Sequence, residues 1–280
     1  MVKKSMRREM LIIFCKCLLV VLAAVYALPI YATVTTAFRS SKELLVGNLW
    51  SLPKKIYLGA FRQAWIEQRL AVHARNTVFV AIPSLLIALS LSSLAAYAVA
   101  YIRFPARRLV FFLFVSGMFF PPQIFIIPVY ELARTLGIYD TYLGLILVHS
   151  VYSLPFSVLM LTTFFQSIPN EILDSARVDG ASEFRILLSM VLPLARNALT
   201  IVGIFLFTWI WNDFLWGLVM TQSPSVQPIM IGVVNSAGRL AFNWNGQSAA
   251  ALIATTPPVV TFILLQRMFS EGVMLGSVKQ

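Results

Sequence analysis

The residues with the most chemical potential in this chain are Asp213 and its neighbours. Asp213 is the one acidic group well inside a long apolar run, and Trp209, Trp211, Asn212 and Trp216 flank it. A charge within a membrane span costs roughly 2.5–3.5 kcal/mol on insertion scales, so something must offset it. Aromatic faces beside amide and carboxylate groups suit the apolar faces and hydroxyls of a sugar. An interhelical hydrogen bond, or a wet position near the outer interface, would offset the same cost, and these readings stay open. Trp209, Asn212, Asp213 and Tyr152 are the candidate solute-path residues. His149 and Glu131 are weaker candidates that also suit packing or interface roles.

None of these groups belongs to a reactive set. There is no Gly-x-x-x-x-Gly-Lys-Ser/Thr loop, no His-Glu-x-x-His and no Gly-x-Ser-x-Gly. The two histidines, His73 and His149, fall in different segments. Cys15 and Cys17 are the only cysteines and have no nearby His to complete a metal set. No catalytic residue, metal site or resident cofactor is therefore expected. A channel would show charged rings or a repeated filter sequence, and an ion-coupled transporter would carry more buried charge than Asp213 alone.

The second stretch with chemical content is a polar island, Glu171 to Pro193, set between two apolar runs. Asn170 reads as the cap of a helix whose first turn holds Glu171 and Asp174, where carboxylates favour the positive helix end. Ile172, Leu173 and Ala176 fall on one face, while small Ser175 and Ala176 would let another surface approach. Gly180 supplies a permissive stop. Ser182 can cap a second helix, in which Phe184, Leu187, Leu188 and Val191 recur at three- and four-residue spacing and would lie along a membrane surface. Pro193 marks the turn into the next run. A plain amphipathic connector has the same pattern, so the residues alone leave both readings open.

The elements that must hold these groups follow from composition. Of the 280 residues 59% are hydrophobic and 12% charged, with a mean hydropathy of +0.82, where soluble domains run near 25% charged. A bilayer-spanning helix needs about 20 apolar residues. Six windows qualify, at 11–33, 77–101, 109–130, 143–164, 198–220 and 249–265. The expectation is an all-α polytopic membrane protein, one domain over 1–280, with a connecting loop at 166–196. The first window is too long, and its Tyr26–Tyr31 flank too bulky, for a cleaved signal peptide. Prolines at 121, 122, 128, 155, 257 and 258 fall inside spans and are expected to break or kink them.

Basic residues set the orientation. With the N-terminus cytoplasmic, that side carries thirteen Lys and Arg, among them Lys3, Lys4, Arg7, Arg8, Arg267 and Lys279, against nine opposite. The short basic turn Arg103-Phe-Pro-Ala-Arg-Arg108 decides for this choice, which puts both termini in the cytoplasm. The net charge of +11 is scattered over several loops, which disfavours nucleic acid as a partner. The loop from Gln222 to Gln247, with Asn235, Arg239, Asn243, Trp244 and Asn245, could meet a soluble partner or merely join two spans.

Glu171 to Pro193 resembles the cytoplasmic signature loop of permease subunits of bacterial ABC importers. There, Glu-Ala-Ala, three residues, Gly, nine residues, Ile, any residue and Leu-Pro form a coupling helix held by an ATPase. Asp174-Ser175-Ala176, Gly180, Met190 and Leu192-Pro193 take those places, with Asp, Ser and Met departing conservatively. Asn76, Ala95-Ala-Tyr97, the Arg103 turn, Met118-Phe-Phe-Pro121, Ile127-Pro128-Val-Tyr130, Leu136-Gly137, Trp211-Asn-Asp-Phe-Leu215, Ile253-Ala-Thr255, Gln266-Arg267 and the Glu271 to Lys279 tail extend the likeness. They resemble the carbohydrate branch, and within it the second, shorter permease of the maltose-type pair.

The resemblance implies a type I importer permease fold of six membrane helices in a bacterial inner membrane. It assigns ATPase coupling to Glu171, Asp174, Ser175, Ala176, Asp179, Gly180 and Ala181. It also implies a homologous permease, two ATPase subunits that bind ATP and Mg, and an extracytoplasmic binding protein delivering a carbohydrate or polyol derivative. An ion-coupled secondary transporter, or an importer permease for a non-sugar solute, is the alternative.

Overall fold

The computed structural model describes residues 2–48, 50–239 and 243–277. The side chains of Lys3, Lys4, Arg7, Arg8, Arg239, Arg267 and Glu271, and all of Lys279, lie outside the described residues. Among the described residues the chain is helical, without strands. It divides into two compact units, Met1–Arg69 with Val233–Ile253, and Leu70–Gly232 with Ala254–Gln280.

The first unit opens with α1, Val2–Ala37, a helix of 36 residues. Its most apolar window has no part buried within the chain, as a lipid-facing helix allows. The short helices α2, Ser41–Val46, and α3, Gly59–Arg62, follow, the latter running into a π-helical turn at Gln63–Glu67. Arg39 is 1% exposed; its guanidinium donates to the carbonyls of Asn48 and Glu43, at 2.8 and 3.2 Å. This fixes the turn after α1, because a buried charge must spend its donors on fixed acceptors.

The second unit is built on α4, Leu70–Tyr101, and α7, Tyr142–Phe165. Between them lie α5, Arg107–Ser116, and α6, Ile126–Thr135. Next come α8, Asn170–Val178, and α9, Glu183–Ile186, which continues through a π turn to α10, Leu192–Leu194. The unit continues through α11, Arg196–Trp211, and α12, Leu215–Met220. Two further helices, α13, Ile229–Arg239, and α14, Trp244–Ser277, contribute residues to both units. Small residues dominate the buried α4–α7 seam: Ala81, Ser84, Ala88 and Ser92 on one side, Ser150, Ser153 and Ser157 on the other. Small side chains let backbones come close, and the Ser84 hydroxyl donates across the seam to the Ile146 carbonyl at 3.3 Å.

Among the described residues four helices are long and apolar enough to cross a membrane, and up to six spans result if each of two bent pairs counts as one. The third sequence window is one such pair. Arg107–Phe119 and Pro122–Thr135 meet at 94°, where Pro121 is extended and cannot donate a hydrogen bond. Pro128 sits in the first turn of α6, where its missing donor is harmless. The expected breaks at Pro155 and at Pro257–Pro258 do not occur, for α7 and α14 run through them. The Pro155 ring packs directly on Gly117 at the break, where a Cβ would lie 2.8 Å from it. The fifth window differs too, since its helix stops at Trp211 and restarts at Leu215.

Candidate functional site

The break between α11 and α12 is made by Asp213. Its Oδ2 accepts the backbone N–H groups of Trp216 and Gly217 at 3.0 and 3.1 Å. A carboxylate that captures these donors removes them from the helical ladder and starts a new helix instead. The same oxygen stands 3.8 Å from His149 Nε2 on α7. Part of the cost of placing a carboxylate in an apolar run is thus met by fixed backbone donors.

Around this break lies a cavity of about 520 Å³, lined by His149, Tyr152 and Ser153 of α7, Thr208, Trp209 and Ile210 of α11, residues 212–216, and Pro122. All four candidate solute-path residues, Trp209, Asn212, Asp213 and Tyr152, meet there. Tyr152 packs edge-on against both Trp209 and Trp216, with ring centroids 6.2 Å away in each case. Trp209 is 54% exposed, so an aromatic face remains available beside the carboxylate. Trp211 does not belong here: it is buried and donates from Nε1 to the Ala254 carbonyl at 2.9 Å. Glu131 is exposed and does not line the cavity. At ~1.5 Å per residue, His149 lies about 10 Å along α7 from its Tyr142 end. A polar-edged aromatic pocket at that position can hold a hydroxylated solute, and no metal-binding group occurs among the described residues.

The polar island forms a two-helix elbow at the opposite end of α4. Pro169, extended at φ −58° and ψ 134°, takes the capping position of α8, so Asn170 is its first residue and not the cap expected. Proline supplies the fixed φ and extended ψ that a cap needs. Ser182 caps α9 as expected, its hydroxyl accepting from Arg185 N. Gly180 stops α8 at φ +80°, a region that favours glycine.

The elbow is seated by Leu173, Ile186, Leu187 and Val191, which join a buried cluster with Ala96, Tyr97, Leu161 and Phe165. Glu171, Asp174, Ser175, Asp179 and Gly180 are exposed, whereas Ala176 and Ala181 pack partly against that cluster. Ala176 therefore serves the seat more than an approaching surface. The face expected along a membrane also divides, with Phe184 and Leu188 exposed but Leu187 and Val191 buried. Val178 is 88% exposed at the tip.

Two polar clusters join residues that the sequence reading had not connected. Arg177 bridges Asp174 and Glu183 at 2.7 and 2.8 Å. At the Tyr142 end, Asp140 accepts from the Gln222 N–H and from the Ser223 N–H and hydroxyl. Burial raises the Asp140 carboxyl, but these hydrogen bonds prevail and hold it below the ordinary carboxylate range. Asn76 and Tyr142 hold the same turn through the carbonyls of Pro224, Gln227 and Ser225. In the loop expected to meet a partner, Asn245 is buried, bonded to the Arg39 carbonyl and to Ser41, while Trp244 is exposed.

A helical chain with long apolar spans, a pocket among them and an exposed polar elbow has the make-up of a membrane permease. The chain belongs to the family described as the inner membrane component of binding-protein-dependent transport systems, whose pattern matches residues 88–274. It is 32% identical to a putative ABC transporter permease of a Caldicellulosiruptor species, over 90% of this chain and 91% of that one. It is 36% identical to an alpha-glucoside transport system permease of Rhizobium meliloti, over 73% of this chain and 55% of the relative. The fold is similar to a chain of a crystallised bacterial ABC transporter involved in alginate import. The TM-score is 0.81, with 22% identity over 91% of this chain and 95% of that one.

Proposed function

We propose that this chain is one of two permeases in an ATP-driven importer for a carbohydrate or polyol derivative, with the elbow as its docking lever. The observation that carries this reading is the elbow's division of labour. Leu173 and Ile186 lock it into the bundle, while Glu171, Asp174, Asp179 and Val178 face outward. A rigidly seated, outward-polar helix pair suits a partner that pushes.

Two ATPase subunits, which bind ATP and Mg, close on ATP and press the elbows of this chain and a homologous permease together. The bundles then rock around the Asp213 pocket, and an external binding protein delivers the cargo. The elbow and the basic Arg103–Arg108 turn both lie at the Tyr101 end of α4, which supports a cytoplasmic elbow and cytoplasmic termini under the positive-inside rule. The Trp209 face beside Asp213 supports a sugar-like cargo, as do the alpha-glucoside and alginate transport named for similar proteins.

The test is copurification of Glu171–Pro193 variants with an ATPase subunit, together with binding by the partner binding protein across a panel of solutes. Loss of the ATPase on changing Asp174 and Asp179, and a preference for sugars or polyols, are the expected results. A complete importer without any ATPase, or a preference for amino acids or metals, would contradict the reading.

A further inference from the structure

Glu183 connects the elbow to α4 through groups outside the docking set. Its Oε2 accepts the Tyr97 hydroxyl. Arg177 grips the same carboxylate from Nε at 2.8 Å and from Nη2 at 3.2 Å, while its Nη1 reaches Asp174 at 2.7 Å. A continuous polar chain thus runs from α8 through Arg177 and Glu183 to α4. Its far end is fixed as well. Tyr97 is 3% exposed and packs 5.3 Å from the Tyr101 ring, whose hydroxyl donates to the Phe165 carbonyl of α7.

The covalent route out of the elbow is poorer. Glu183–Leu194 contains a π turn and meets Arg196–Trp211 at 79°. Across such an angle the two arms share no common axis along which a push is carried straight on. The apolar seat holds the elbow in place, but apolar contact is non-directional. A guanidinium fork on a carboxylate fixes mutual orientation as well as distance.

We propose that Glu183 is a positioning residue that transmits elbow movement sideways into α4, through Arg177 on one side and Tyr97 on the other. The inference rests on the reading of α8 as the docking helix. Tyr97→Phe removes one hydroxyl from a packed ring; Glu183→Gln keeps an acceptor and removes the charge. In the intact importer reconstituted in vesicles, both variants are expected to hydrolyse ATP. The ATP consumed per solute imported should rise roughly fivefold, the shift that one lost hydrogen bond of about 1 kcal/mol can cause. The double variant should be no worse than the more affected single, because both cut the same chain.

An unchanged ratio in assembled single variants, or an additive loss in the double, would overturn the proposal. If Glu183→Gln does not assemble, Tyr97→Phe decides alone; loss of assembly in both would assign the cluster to folding and would equally overturn it. A wild-type chain whose import is not coupled to ATP would strike the docking reading instead. Coupled wild type with unaffected variants strikes only this inference.

Discussion

At the scale of single residues, Asp213 does two jobs with one carboxylate. It caps the first turn of α12 by accepting the Trp216 and Gly217 N–H groups, and it gives the pocket its acidic edge beside Trp209. Trp209→Ala should leave insertion intact and weaken cargo uptake roughly three- to tenfold, the range of a lost aromatic contact, in an uptake assay at sub-saturating solute. Asp213→Ala should cost more than Asp213→Asn, since only alanine leaves both backbone donors without an acceptor; thermal unfolding in detergent would rank them. The sequence disclosed Asp213 because a charge in an apolar run is costly. It did not disclose the backbone role, which depends on where the helix breaks. The grouping of Trp211 with this cluster failed on helical period, since two residues advance about 200° and Trp211 faces away from Trp209, whereas Trp216 reaches the pocket from α12, beyond the break.

At the scale of elements, the elbow depends on Gly180 and Leu173. Gly180 has open space around it but a φ of +80°, so Gly180→Ala should cost about 1 kcal/mol through backbone strain and not through a clash. Gly180→Trp should insert normally and uncouple ATP hydrolysis from uptake. Leu173→Ala opens a cavity at the seat and should destabilise by roughly 2–5 kcal/mol, seen as faster proteolysis of the elbow. The Asp140 turn carries a pH signature. Its carboxyl is lowered on folding, so its contribution is present at neutral pH and fades as pH falls through the lowered value. Asp140→Asn should therefore lower the melting temperature at pH 7, and the deficit should shrink in acid. A constant deficit across pH would remove the carboxylate from this account.

These elements were unevenly legible. The Ser182 cap and the Gly180 stop could be read from local chemistry, because each satisfies groups within three or four residues of itself. The Asn170 cap was misassigned, since Pro169 already supplied the extended geometry one position earlier. Proline position alone did not separate the break at Pro121 from the continuous helix through Pro155. The packing of the Pro155 ring on Gly117 joins distant segments, and no local pattern displays it. The Tyr97–Glu183 contact joins residues 86 apart and was hidden for the same reason.

At the scale of the whole molecule, the chain has apolar spans, a pocket and a seated elbow, and on the proposed reading a partner moves them. Five of the six apolar windows, four as long helices and one as a bent pair, were legible in hydropathy because lipid selects for composition over some 20 residues at once, whereas the fifth window is divided between α11 and α12. The decisive measurement uses Val178, exposed at the elbow tip, and a background in which Cys15 and Cys17 are replaced by Ser. In the intact complex, Val178→Cys should cross-link to the ATPase subunit, with a yield that changes on adding ATP, and should resist an impermeant thiol reagent applied to intact cells. Labelling of that cysteine from outside, or uncoupled import by the chain alone with no such cross-link, would contradict the account.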